Sequence, residues 1–277
     1  MYRSSHIMMN KNMYGLPPGS ILQLLYFDER IKVLMRKGYN SFIEVGSGQG
    51  IVSNHLLHLG FKGIGFDLNK EACKINREEN KSFIHENRYN VINKDFLTYD
   101  INEKFDIIFS RMVIEHLEDE DLYYYFRKCI KILNPGGMII SIVPAGIKYW
   151  GIEDEIAGHK KRYEYEDIEN LSNRHKLIIE HLAGLNFPIS NVLLGISNRI
   201  VQKAESYKYS LSQKQKSIES GFRRVKYKTN FPVLFSLILN PFVIYPFHII
   251  QKYFTRHASC MVIYSELGLI KNEIKKN

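Results

Sequence analysis

Cysteine is scarce in this sequence of 277 residues: Cys73, Cys129 and Cys260 are odd in number and widely spaced. That excludes a disulfide framework and a CxxC-type zinc site, and it fits a reducing compartment. The first fifteen residues, MYRSSHIMMNKNMYG, lack the hydrophobic stretch of a signal peptide, so the expected location is the cytoplasm. There is no internal repeat and no low-complexity tract. Acidic residues are short in one region only. Residues 1–197 hold 24 Lys and Arg against 25 Asp and Glu, whereas 198–277 hold 14 against 4, so the formal net charge of +9 resides in the last 80 residues. A basic attachment on a nearly neutral body argues against nucleic acid as a partner of the whole protein.

What is present suffices for a globular fold. With 45% hydrophobic and 24% charged residues the chain can bury a sizeable core, in one large domain or two small ones. After Pro17-Pro18, residues Ile21, Leu24, Leu25, Ile31, Leu34 and Met35 recur at helical spacing, which predicts an amphipathic helix over 19–37. The run SFIEVG (41–46), a helical stretch to Leu59 and the run GIGFD (63–67) form a βαβ unit and imply a parallel sheet. The alternation continues: a helix near 69–80, strands near 89–93 and 105–110, a helix near 119–133, a strand over 137–143, a helix near 166–174 and a strand near 176–183. A last apolar run, 259–267, follows only after a long intervening segment.

The segment Glu44-Val45-Gly46-Ser47-Gly48-Gln49-Gly50 lies between the first strand and its helix. Glycines there allow a sharp turn and close approach to a ligand, and the helix offers free amides at its start. The dinucleotide pattern GxGxxG requires glycine at position 51, which is Ile51. Asp67 ends the second strand, where a carboxylate can accept both hydroxyls of a ribose. A nucleoside ligand is implied, without a pyrophosphate cradle.

With EVGSGQG (44–50), Asp67 in GIGFD, KDF (94–96), FDIIFSRMVIEHL (105–117) and LNPGGMIISIV (133–143) in this order, the sequence resembles the class I S-adenosylmethionine-dependent methyltransferases of the type 11/12-like group. The resemblance implies a Rossmann-like α/β core with a seven-stranded, mostly parallel sheet. It divides the chain into an N-terminal cover helix (1–40), the cofactor-binding core (41–185), a helical insertion (186–258) and a final strand and tail (259–277). Carried over by position, Gly46, Gly48 and Gly50 would pack under the methionine part of S-adenosylmethionine, with Glu44 near its ammonium group. Asp67 would take the ribose hydroxyls, Asp95 the adenine amino group with the Phe96 amide nearby, and Ser110 would give a backbone contact near the sulfonium. Asp95 has the alternative of a solvated loop carboxylate. Met13-Tyr14-Gly15 either folds over the cofactor or frays.

Methyl transfer is an in-line displacement that needs a general base only when the nucleophile carries a proton. Two clusters can serve the acceptor: Glu115-His116 after the fourth strand, and Asp154-Glu155 with Gly158-His159-Lys160-Lys161-Arg162-Tyr163 after the fifth. The second resembles the GHxxRY segment of a subgroup associated with cell-surface sugar, lipid or quinone metabolism. It implies O-methylation of a small, sugar-containing, lipid-linked or quinone-like molecule. His159 is then the base or an orienting residue, with Arg162 and Tyr163 shaping the pocket; alternatively His159 caps the next helix and Arg162 pairs with Glu155 or Glu164. His116 is a second candidate, or a loop histidine that fixes backbone. Glu115-His116 with His159 also resembles the metal-assisted RNA 3′-terminal 2′-O-methyltransferases. The first glutamate of that set falls at Met112, a poor ligand for a hard cation, so no metal is expected. A non-catalytic S-adenosylmethionine-binding subunit is the alternative from another class.

Residues 198–230 carry nine Lys and Arg against Glu205 and Glu219, and 231–250 (FPVLFSLILNPFVIYPFHII) carry no charge. Twenty such residues meet the length of a membrane span. Pro241 and Pro246 would interrupt a helix, and the return of 259–267 to the sheet forbids a single crossing. The expectation is peripheral association of 198–257 with an anionic membrane on its inner face, or capture of a lipid-linked acceptor, against the alternative of an ordinary helical cap. Nothing in the sequence sets the oligomeric state.

Overall fold

The computed structural model describes residues 13–220, 225–229 and 231–270. Parts of the expected N-terminal cover (1–12), the basic segment (Arg223 and Arg224) and the tail (271–277) lie outside the described residues. Contacts divide the chain into two compact units. One takes the described residues of 1–37, 145–159 and 184–262; the other takes those of 38–144, 160–183 and 263–277.

The second unit is built on a sheet. In chain order the elements are β1 (Ser41–Val45), α2 (Ile51–His58), β2 (Lys62–Phe66), α3 (Lys70–Glu79), α4 (Lys81–His85), β3 (Tyr89–Ile92), β4 (Phe105–Arg111), α5 (Asp119–Ile132), β5 (Leu133–Pro144), α7 (Tyr165–Arg174), β6 (Leu177–Leu185) and β7 (Val262–Leu269), with α1 and α6 in the other unit. The seven strands run in the order β3-β2-β1-β4-β5-β7-β6, and the pairs β2/β3, β1/β2, β1/β4 and β4/β5 are parallel. β1 is buried along its whole length, and β4 along most of it. Burial on both faces explains why these strands read as continuous apolar runs and not as alternation. Strand order reverses between β1 and β4, where Val45 stands opposite Ser110. In open α/β sheets that switch point is where ligands bind, beyond the strands' carboxyl ends.

The sequence places the fifth strand after Asn134-Pro135-Gly136-Gly137, yet β5 begins at Leu133. Leu133 pairs with Phe105 and Met138 with Ile107, a register shift that absorbs the glycine pair as a bulge.

The other unit is helical. It holds α1 (Pro18–Arg36), α6 (Ile152–Ala157), α8 (Ile189–Glu205), α9 (Gln213–Ser220) and α10 (Pro241–Tyr253), with 3-10 turns at Ile147–Tyr149, Ser206–Ser210 and Val233–Leu237. The uncharged run 231–250 is therefore not one element. Pro241 does not interrupt a helix; it occupies the first turn of α10, where its missing N–H costs nothing, and the Asn240 side chain accepts from the Phe242 and Val243 amides. Pro246 sits inside the same helix. α10 packs on α1: Gln251 Nε2 donates to the Leu22 carbonyl at 3.0 Å, and His248 Nε2 lies 3.0 Å from Glu29 Oε1.

Candidate functional site

The glycine loop leaves β1 at the switch point. Gly46, Gly48 and Gly50 all have positive φ, at 73°, 50° and 82°. Two of them are also fixed by space. A Cβ on Gly46 would run into Val113 Cγ2, and one on Gly50 into the side chains of Asn76 and Asn80. The amides of Gly46 and Ser47 both donate to the Phe66 carbonyl, at 2.8 and 2.9 Å, which ties the loop to the end of β2.

Asp67 follows that strand. Its Oδ2 accepts the Gly48 amide and its Oδ1 the Asn69 amide, both at 2.7 Å. The Leu68 amide bonds the same carboxylate, and since a carboxylate has about four acceptor sites, capacity for a ribose hydroxyl remains. Burial raises the Asp67 pKa above the usual carboxylate range, against the lowering by these amides. Glu44, on β1 beneath the loop, is 3% exposed, and its Oε2 accepts from Ser53 Oγ of α2 at 2.5 Å. Burial pushes its pKa up to about 7; Ser53 and the charge of Arg111 pull it down, and Asp67 pushes it further up. Arg111, last in β4, is lowered by burial, with Glu44 opposing. Two acids in contact with one loop can seat a cationic ligand, whose charge would favour their ionised forms against the effect of burial. A nucleoside bearing an ammonium and a sulfonium fits this donor and acceptor set.

Several supports of this seat gave no sequence signal. Tyr89 donates to Ser53 Oγ at 2.8 Å, so β3 braces α2 from below. Cys73 on the inner side of α3 is buried, with Sγ 3.5 Å from the Asp67 carbonyl, and burial raises its thiol pKa to about 11. Lys128 of α5 donates to the carbonyls of Phe96, Leu97 and Tyr99, which holds the loop that carries Asp95. Asp95 is exposed and accepts the Leu97 amide at 2.9 Å. Phe96 is buried edge-on against Phe66. Ser110 is buried with its hydroxyl 3.4 Å from that of Ser141.

Glu115 and His116 lie in a 3-10 turn over Ile114–His116, with Glu115 fully buried. Tyr163 is fully buried as well, and its hydroxyl donates to the Ile114 carbonyl at 3.1 Å. The Lys160 amide donates to the Glu115 carbonyl at 2.8 Å. Tyr163 thus underpins this turn. In the helical unit, His159 follows the left-handed Gly158 that ends α6, which turns the chain back so that His159 Nδ1 lies 2.8 Å from Asp154 Oδ1. Asp154 is 1% exposed, and its Oδ2 accepts the Gly151 amide at 3.0 Å. A carboxylate at Nδ1 orients the ring and favours the tautomer with its proton on that nitrogen. His159 does not cap the next helix: α7 is capped by Glu164, whose amide donates to Asp167. Met13 is buried, and the Gly15 amide donates to the Leu239 carbonyl at 2.8 Å.

Comparison with known proteins follows the same line. Residues 42–137 match the family model for a methyltransferase domain. The chain is similar to an uncharacterized methyltransferase of Bacillus cytotoxicus, 28% identical over 115 residues, which is 42% of this chain and 52% of that protein. A Bacillus cereus uncharacterized methyltransferase is 24% identical over a stretch of the same length and coverage. The chain thus spans about half the length of the curated relatives it matches. In fold it resembles a methyltransferase from Galdieria sulphuraria, with TM-score 0.56 and 14% identity over 89% of this chain and 86% of the other. It also resembles an S-adenosylmethionine-dependent methyltransferase from Clostridium acetobutylicum, with TM-score 0.51 and 13% identity over 87% and 89%.

Proposed function

We propose that this chain, whose residues 42–137 belong to the methyltransferase domain family and fold as the class I core, transfers the methyl group of S-adenosylmethionine to an oxygen of a small acceptor that is sugar-containing, lipid-linked or quinone-like. The observation that carries the reading is the loop of three positive-φ glycines set between Glu44 and Asp67 at the switch point of the sheet. The GHxxRY-like segment 158–163 supports the acceptor class.

S-adenosylmethionine supplies a methyl group on a cationic sulfur. Asp67 binds the ribose hydroxyls through its remaining lone pairs, and Glu44 balances the cofactor's charge from beneath the loop. His159 would take the acceptor's hydroxyl proton on Nε2 when the cofactor supplies its methyl group to that oxygen. Asp154 stabilises the resulting imidazolium. Arg162 orients the acceptor. The enzyme works in the cytoplasm at the inner face of a membrane; no helix among the described residues is long and apolar enough to cross one.

The test is calorimetry with S-adenosylmethionine, then release of its demethylated product over a panel of glycolipids and quinones. His159→Ala should lower turnover by about 10²–10⁴-fold and leave cofactor affinity unchanged; unchanged turnover removes His159 from the base role. Tight binding without release over the whole panel identifies a cofactor-binding subunit. Release that a chelator abolishes and Mg²⁺ restores moves the reading to metal-assisted transfer.

A further inference from the structure

Helix α10 is amphipathic in the unusual sense. Its polar residues His248 and Gln251 are buried against α1, while Phe242 and Tyr253 point outward at 70% and 84% exposure. The 3-10 turn before it continues this face: Val233, Leu234, Leu237 and Ile238 are all exposed. Asn240 locks the two pieces into one corner. Its Oδ1 accepts the Phe242 and Val243 amides, and its Nδ2 donates to the Ser236 and Leu237 carbonyls at 3.1 and 3.0 Å. The corner is thus a preorganised apolar surface.

Charge selects its partner. Between Glu219 and Glu266 the sequence has six Lys and Arg and no Asp or Glu. Arg256 and Lys226 are exposed on either side of the corner, and Lys252, exposed beside Tyr253, pairs with Glu29 of α1 at 2.7 Å. A second copy of this face would set Arg256 and Lys226 against their own copies, while Glu29, the acid beside α10, is already engaged by Lys252 and His248. An anionic surface meets both properties, because Lys and Arg reach phosphates while Phe, Leu and Ile enter the headgroup boundary. Tyr245 and Tyr253 suit the same boundary with an apolar ring and a polar tip.

We infer that the corner formed by residues 233–253 docks on an anionic phospholipid bilayer, lying in its surface. The inference rests on the proposed function only for the placing of a membrane-borne acceptor; docking is read without methyl transfer.

The full chain should float with phosphatidylglycerol–phosphatidylcholine vesicles, float much less with phosphatidylcholine alone, and be released as salt rises. Leu234→Ser/Phe242→Ser/Tyr253→Ser should cut flotation about tenfold or more. Thermal melting and calorimetric binding of S-adenosylmethionine should not change in that variant. No flotation of the wild type, equal flotation with neutral vesicles, or flotation of the variant at the wild-type level overturns the inference. A wild-type dimer that the variant converts to monomer, without vesicle binding, assigns the face to a second copy and overturns it as well. Loss of cofactor binding by both proteins while flotation persists would fault the proposed function and leave the docking surface standing.

Discussion

Among the described residues, the sheet unit leaves only Leu68, Tyr124 and Ile178 exposed as large apolar side chains, while the helical unit leaves twenty-two. The sheet unit also buries acids: Glu44 and Glu115 are at or near zero exposure. Both units hold charge inside, Asp154, Glu205 and Lys208 in the helical one; what sets the helical unit apart is that it hides His248 and Gln251 while it shows many apolar side chains. Burial of apolar area stabilises a fold only where that area leaves water. The exposed residues of 233–254 therefore add little to stability as they stand.

The sharpest way to break this contrast is to delete the same side chain from each unit. Phe109→Ala, in the fully buried stretch of β4, should cost about 3–5 kcal/mol in urea unfolding. Phe242→Ala should stay within about 0.5 kcal/mol of wild type; equal losses would mean that the outward face of α10 is a core face after all.

Next in size is the buried acid. The folded-state pKa of Glu44 is raised to about 7. Below the ordinary carboxylate value both folded and unfolded chains hold the proton, and the group costs nothing. As pH rises through that value toward about 7, only the unfolded chain releases it, so stability falls, and above about 7 the whole cost is present. From pH 5 to pH 8 the wild type should lose on the order of 3 kcal/mol through this group, and Glu44→Gln should remove that loss while weakening cofactor binding. A variant whose pH dependence matches the wild type would show that Glu44 titrates in the folded chain as it does in the unfolded one. Gly46→Ala comes next. Its left-handed φ and the contact with Val113 should cost ~2 kcal/mol, about thirtyfold in calorimetric affinity for S-adenosylmethionine.

The strands and the glycine loop were legible because they depend on local pattern. β1, β2, β3 and β4 fall within a residue or two of the runs that predicted them, and Asp67 stands directly after β2. The supports of the site depend on residues far apart in sequence, which periodicity does not report. Ser53 reaches Glu44 across the first βα unit, and Tyr89 reaches Ser53 from β3. The pairing of Asp154 with His159 needed the left-handed turn at Gly158, and spacing alone gave helix capping an equal claim. Pro241 misled for a different reason. Proline is a breaker within a helix and a good starter at its first turn, and only the preceding Asn240 distinguishes the two.

The burial of Cys73 against the Asp67 carbonyl has a practical outcome. A thiol sealed there reacts with an alkylating reagent only during excursions that lift α3 away from the loop, so its labelling rate counts those excursions directly. The protein thus carries its own reporter, a native thiol, for how often the nucleoside seat comes apart.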